Sequence, residues 1–234
     1  MPDAPRPCDP HLDLVGFKYP LPNLKEALKR KRKIKIVAIG SSSTAGEGHI
    51  VPYPCRLELA LRDGFHGRMI DVLNRGIGGQ ESPSELSRFG PDVIDEMPVL
   101  MIWQVGTNAV FRSKEFSFDD VAVSIAAGLD WIADRPIDAV LMDLQYTTAV
   151  IEPDTKLADD MVSRISAVAE KAGVNVFRRF ALMKSWAVDG HIPMPELIDP
   201  TDGDKLHMSD WATGCMTQAL VGAIRQRLAA DGVA

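Results

Sequence analysis

The chain has 234 residues, 46% apolar and 25% charged, with a formal net charge of −6. That length and composition suit one large globular domain, and the acidic balance argues against general attraction to nucleic acid. No segment approaches about 18 uninterrupted apolar residues, so no membrane span is expected, and no signal peptide is visible.

The first residues are polar and proline-rich. They read either as a native cytoplasmic start or as what remains once a signal has been removed. Cys8, Cys55 and Cys215 permit one disulfide and a leftover thiol, and their spacing fits no zinc pattern. A Cys8–Cys215 bridge would tie the N-terminal arm to the last helix, although sequence leaves the pairing open. Residues 21–28 form a short helix, and the basic run 29–33 follows it. Cations at a helix C-terminus offset its dipole, so the run reads as a solvated helix end, with polyanion or membrane contact as the lesser alternative. Residues 1–33 are therefore taken as an arm and short helix packed on a single domain, residues 34–234.

Strand and helix signals then alternate. Strands are predicted at 34–39, 69–73, 99–105, 139–144 and 174–177. Helices are predicted at 53–65, at 82–96 with a break near Gly90-Pro91, and at 118–133, 154–172, 180–188 and 209–229. The strands lack polar–apolar alternation, as in parallel sheets covered on both faces. Five of them in βαβ order predict a three-layer α/β/α sandwich with a five-stranded parallel sheet. Residues 189–206 are the longest irregular stretch, a length at which loops are often functional.

The first three strands end in polar turns containing glycine: Gly40-Ser41-Ser42-Ser43-Thr44, Asn74-Arg75-Gly76-Ile77-Gly78-Gly79-Gln80, and Gly106-Thr107-Asn108. In a parallel sheet these turns share one edge. A serine hydroxyl, glycine amides and an asparagine amide would then face one cleft, as a nucleophile and an oxyanion hole require. Of the five histidines, His207 alone has a carboxylate at a local spacing suited to orienting it, Asp204. Its Nδ1 would face that acid and its Nε2 a serine.

Each piece also has a plainer meaning. The serine turn alone reads as a helix cap, and the glycines at 76–79 as backbone punctuation. No phosphate-loop pattern is present, and Thr44 breaks the Gly-x-Ser-x-Gly elbow of α/β-hydrolases. Asp202, Asp204, His207 and Asp210 could in principle hold a metal, but no second cluster completes a site. Trp103 and Trp211 are more readily core residues than a substrate platform.

Taken together, the four stretches resemble the SGNH hydrolase superfamily, the GDSL-type lipases and esterases, across residues 36–211. The resemblance places the nucleophile on Ser42, the oxyanion hole on the amides of Ser42 and Gly79 and the side chain of Asn108, and the acid and base on Asp204 and His207. Spacing alone leaves Ser41 and Ser43 open as nucleophiles; the glycine register favours Ser42. One departure stands out: Ser41 occupies the position of the family's usual aspartate. The resemblance implies a flavodoxin-like strand order 2-1-3-4-5. It also implies a serine esterase that works through an acyl-enzyme and needs no metal or organic cofactor.

The compact chain has no lid domain, which favours short acyl groups, with O-acetyl groups on a carbohydrate or polysaccharide as the leading substrate. The alternatives are an acyltransferase using the same triad and a non-catalytic glycan-binding protein. Many members of the superfamily are secreted or periplasmic, which implies export, with a cytoplasmic location as the alternative.

Overall fold

A computed structural model describes residues 6–152 and 154–233. Its strands are β1 (Lys33–Gly40), β2 (Met69–Gly76), β3 (Leu100–Gln104), β4 (Asp138–Met142) and β5 (Asn175–Phe177). They form one sheet in the order β2-β1-β3-β4-β5, and every pairing is parallel. This is the architecture and strand order expected from the sequence. The helices are α1 (Leu12–Val15), α2 (Pro22–Arg30), α3 (Ser42–Ala45), α4 (Tyr53–Gly64), α5 (Ser82–Leu86), α6 (Thr107–Phe111), α7 (Phe118–Ile132), α8 (Thr148–Ile151), α9 (Thr155–Ala172), α10 (Arg179–Val188), α11 (Met194–Leu197) and α12 (Asp210–Ala230).

Side chains alternate across the sheet, and both sides are apolar. Ile34, Ile36, Ala38, Leu100, Ile102, Val140 and Met142 face a core shared with α2, α4, α10 and α12. Val37, Ile39, Met101, Trp103 and Leu141 face a second core shared with α7 and α9. The period of two is present in space but hidden in sequence, because neither face is wet.

The helix predicted at 82–96 with a break near Gly90-Pro91 is indeed interrupted, although earlier than expected. α5 ends at Leu86, and a π-helical turn spans Gly90–Ile94. Pro91 has no N–H to donate, and the turn closes with the wider bond from the Asp95 N–H to the Gly90 carbonyl, 3.0 Å. The basic residues 29–33 are all exposed at and beyond the C-terminus of α2.

The N-terminal arm is fixed at several points. Cys8 and Cys215 form a disulfide with a Cα–Cα distance of 5.4 Å. The indoles of Trp186 and Trp211 donate to the carbonyls of Asp9 and Arg6, at 2.8 and 2.9 Å. Leu21, Leu24 and Leu28 are buried in the same core as the strands. Cys55 is a free, exposed thiol.

Candidate active site

β1 runs into α3 with Ser41 as the N-cap, so Ser42 is the first helical residue and stands at the carboxyl edge of the sheet. The end of β2 is pressed against this turn. A Cβ on Gly76 would lie 2.1 Å from the Ala45 main-chain nitrogen, so only glycine fits there.

The three neighbouring hydroxyls have three different partners. Ser41 is buried, and both its hydroxyl and its main-chain N–H donate to Gln104 Oε1, at 2.9 and 3.0 Å. The Ser43 hydroxyl donates to Gln145 Oε1 at 2.7 Å. Ser42 Oγ lies 2.8 Å from His207 Nε2. Ser42 is thus the member of the trio whose hydroxyl lies against an imidazole. Ser41 uses its hydroxyl to anchor the turn to the end of β3.

His207 Nδ1 lies 2.9 Å from Asp202 Oδ2. A carboxylate can only accept, so Nδ1 carries the ring proton and Nε2 is free to accept from Ser42. The same oxygen of Asp202 accepts from the main-chain N–H groups of Leu206 and His207, at 2.8 and 2.6 Å. The other accepts from the Asp204 N–H at 3.1 Å. Partial burial pushes the Asp202 carboxyl upward. The main-chain N–H donors of His207, Leu206 and Asp204 outweigh this and hold it below the ordinary aspartate value.

The expected partner, Asp204, does not reach the imidazole. A turn closed by the Lys205 N–H on the Asp202 carbonyl, 3.1 Å, puts Lys205 at φ 54° and leaves Asp204 exposed at the tip. The ring meets Asp202 in its place, two residues upstream. The alternative grouping of these residues as metal ligands is also dispersed, since Asp210 pairs with Arg56.

Gly79 and Asn108 converge on the same cleft, about 540 Å³ in volume, with Ser42 and His207. Gly79 has φ 76°, a left-handed conformation that suits glycine. Asn108 Nδ2 donates to the Gln80 carbonyl at 2.7 Å, which leaves its second amide hydrogen for another acceptor. Glu47, Asp199, Asp204 and Arg112 complete much of the lining, with Phe111 and Leu206 as its apolar members. A larger groove of about 680 Å³ between α4 and α12 contains none of these residues.

Three buried or half-buried residues of this neighbourhood carry no motif: Asp202, Gln104 and Gln145. Gln145 accepts from Ser43 and donates through Nε2 to the Leu206 carbonyl, joining the nucleophile turn to the histidine loop. Only Asp202 left a trace in the sequence, as one of several acids upstream of His207.

The model of the non-GDSL lipase-like family matches residues 7–230. No curated protein matches the sequence. Among solved structures, a lipase/acylhydrolase from Enterococcus faecalis aligns with a TM-score of 0.67 at 20% identity, over 83% of this chain and 96% of the other. An acetylxylan esterase from Geobacillus stearothermophilus aligns with a TM-score of 0.70 at 19% identity, over 82% and 94%. An α/β hydrolase enzyme from the Lake Arreo metagenome aligns with a TM-score of 0.68 at 19% identity, over 82% and 96%.

Proposed function

This chain belongs to the non-GDSL lipase-like family, and from that premise we propose that it is a serine ester hydrolase acting through an acyl-enzyme on short-chain esters. One observation carries the reading: the continuous path from Ser42 Oγ to His207 Nε2, 2.8 Å, and from His207 Nδ1 to Asp202, 2.9 Å.

In the proposed reaction His207 Nε2 takes the Ser42 proton as Oγ attacks the ester carbonyl. Asp202 steadies the resulting imidazolium. The carbonyl oxygen becomes an oxyanion that the N–H groups of Ser42 and Gly79 and the amide of Asn108 receive. As the intermediate collapses, the C–O bond to the alcohol breaks, and His207 hands its proton to the departing alkoxide. A water then gives its proton to His207 and attacks the acyl-enzyme. Collapse of the second intermediate returns the proton to Ser42 Oγ and releases the acid.

The polar lining favours a small acyl group on a polar alcohol. The carboxylates of Glu47, Asp199 and Asp204 and the guanidinium of Arg112 suit hydroxyl-rich groups and offer little cover for a fatty chain. An O-acetylated carbohydrate is the proposed substrate, and the fold shared with an acetylxylan esterase supports it. The Cys8–Cys215 disulfide supports an oxidising, exported location.

A fluorophosphonate serine probe and a p-nitrophenyl ester series from acetyl to palmitoyl test the reading. The expected result is labelling at Ser42, loss of labelling in Ser42→Ala, and fastest turnover of acetyl or propionyl esters. An unlabelled, inactive native protein would point to glycan binding without turnover. Preference for long chains would refute the short-acyl assignment. Acetyl transfer to an added sugar in competition with water would point to an acyltransferase.

A further inference from the structure

Glu81 follows the Gly78-Gly79-Gln80 turn and is 1% exposed. Its Oε1 accepts from the N–H groups of Ser82 and Gly106, at 3.0 and 2.8 Å. Its Oε2 accepts from the N–H of Ala109 at 3.0 Å. The last two donors belong to the N-terminus of α6, the helix that carries Asn108.

α6 starts at a glycine N-cap and has no side-chain cap of its own. The first N–H groups of a helix need acceptors, and a carboxylate there also meets the positive end of the helix dipole. Glu81 supplies both from a different loop. A second link runs the other way, from Asn108 Nδ2 to the Gln80 carbonyl, 2.7 Å. The two links close a ring between the turn that carries Gly79 and the helix that carries Asn108.

We propose that Glu81 is a positioning residue for the oxyanion hole, its carboxylate clamping the Asn108 helix against the Gly79 turn. The proposal rests on the esterase reading of this cleft. Two donors from separate loops stabilise one developing oxyanion only if both stand within hydrogen-bond reach of the same point, and small misplacements there cost much of the rate. Glu81 does not touch the reacting atoms and acts through Asn108, whose place relative to the Gly79 turn it sets.

Glu85, one turn along α5, is buried beside it and accepts from the Trp103 indole at 2.7 Å. Burial and the Glu81 charge push the Glu85 carboxyl well above its ordinary value. Burial also raises the Glu81 carboxyl, against the opposing pull of the main-chain N–H groups of Gly106, Ser82, Ala109 and Asn108. The three N–H groups that Glu81 accepts from favour the anion there, and Glu85 provides a matched control, because it is equally buried and its hydrogen bond goes to Trp103 rather than to α6.

The test is a double-mutant cycle on p-nitrophenyl acetate, with thermal melts of every variant. Glu81→Gln keeps the size of the side chain but turns an amide donor toward an N–H. It is expected to lower kcat about 10–100-fold with KM within roughly twofold. Asn108→Ala is expected to lower kcat by about 10²–10³. The double variant is expected to fall no further than Asn108→Ala, within a factor of roughly two to three. Glu85→Gln is expected to keep native kcat. Glu81→Asp retains the charge one methylene short, gives a milder form of the same pattern, and serves if the glutamine variant does not fold.

Native kcat in Glu81→Gln, multiplying losses in the double variant, or a loss that follows the folded fraction would overturn the proposal. Full activity in Asn108→Ala would instead overturn the oxyanion assignment on which it rests.

Discussion

Asp202 meets His207 twice with one oxygen: Oδ2 accepts from the imidazole Nδ1 at 2.9 Å and from the main-chain N–H of the same residue at 2.6 Å. The acid therefore fixes both the ring and the backbone that bears it. Its other partners, the N–H groups of Leu206 and Asp204, make it the centre of the whole turn.

Replacing this acid should be far more costly than replacing its neighbour. Asp202→Asn turns an amide toward Nδ1 and favours the wrong tautomer, so kcat should fall about 10³–10⁴-fold. Asp204→Asn should stay within roughly twofold of native. Steady-state kinetics on p-nitrophenyl acetate reads both, and the reverse ranking would return the role to Asp204. The Asp202 carboxyl is held below its ordinary 3.8 in the fold. Its contribution to stability is thus fully present above that value and is lost as pH falls through the folded-state value. Asp202→Asn should therefore flatten the acid limb of thermal stability.

Ser43 and Leu206 are joined by one amide, and that amide spans the gap between nucleophile and base. Gln145 is fully buried, accepts from Ser43 and donates to the Leu206 carbonyl. Gln145→Ala leaves a buried hydroxyl and a carbonyl unpaired, at a cost on the order of 1–3 kcal/mol. The expected outcome is a lower kcat with little change in KM, together with a lower Tm. Gln145→Glu keeps an acceptor for Ser43 but, once ionised, sets a buried charge against the Leu206 carbonyl, so it should lose stability and rate together as pH rises. Kinetics and melts on both variants separate the two links.

The strands were legible because an apolar run bounded by polar turns fits little else than a buried strand when helical segments separate the runs; their order came from the resemblance to the superfamily and not from the runs. Ser42 and His207 were legible as members of separated blocks that the parallel sheet gathers on one edge. The carboxylate that meets His207 was not, because Asp202 and Asp204 share one loop, and the turn closed on the Asp202 carbonyl brings only Asp202 to the ring. A positive φ at a lysine leaves no mark in sequence. Gln104, Gln145 and Glu81 were invisible for a related reason. Each joins elements far apart in the chain, and a lone glutamine or glutamate at the end of a strand or the start of a helix has no spacing to betray it.

The N-terminal arm should depend on its disulfide for stability rather than for chemistry. Cys8 and Cys215 are 207 residues apart, so the bridge removes much of the unfolded chain's freedom. Cys8→Ser should cost about 3–5 kcal/mol. At roughly 2–4 °C per kcal/mol for a chain of this size, Tm should fall by about 10 °C. Activity at low temperature should persist, because the bridge lies outside the cleft. Melts of native protein with and without reductant, beside the variant, check this; an unchanged Tm on reduction would contradict it.

The buried carboxyl pair at the start of α5, Glu81 and Glu85, should give the protein an unusual alkaline weakness. Glu85 is raised well above the ordinary 4.5 by burial and by the charge of Glu81. In the unfolded chain it ionises near that ordinary value, whereas in the fold it holds its proton to higher pH. Between those two points the unfolded state binds fewer protons, so stability falls as pH rises. Glu85→Gln keeps an acceptor for the Trp103 indole and removes the second ionisable group. Its Tm should match the native protein near the ordinary glutamate value and exceed it at neutral and alkaline pH, with the gap widening until Glu85 has ionised in the fold. A melt series of both proteins across that range measures the gap directly, and parallel curves would mean that Glu85 does not titrate differently in the folded state.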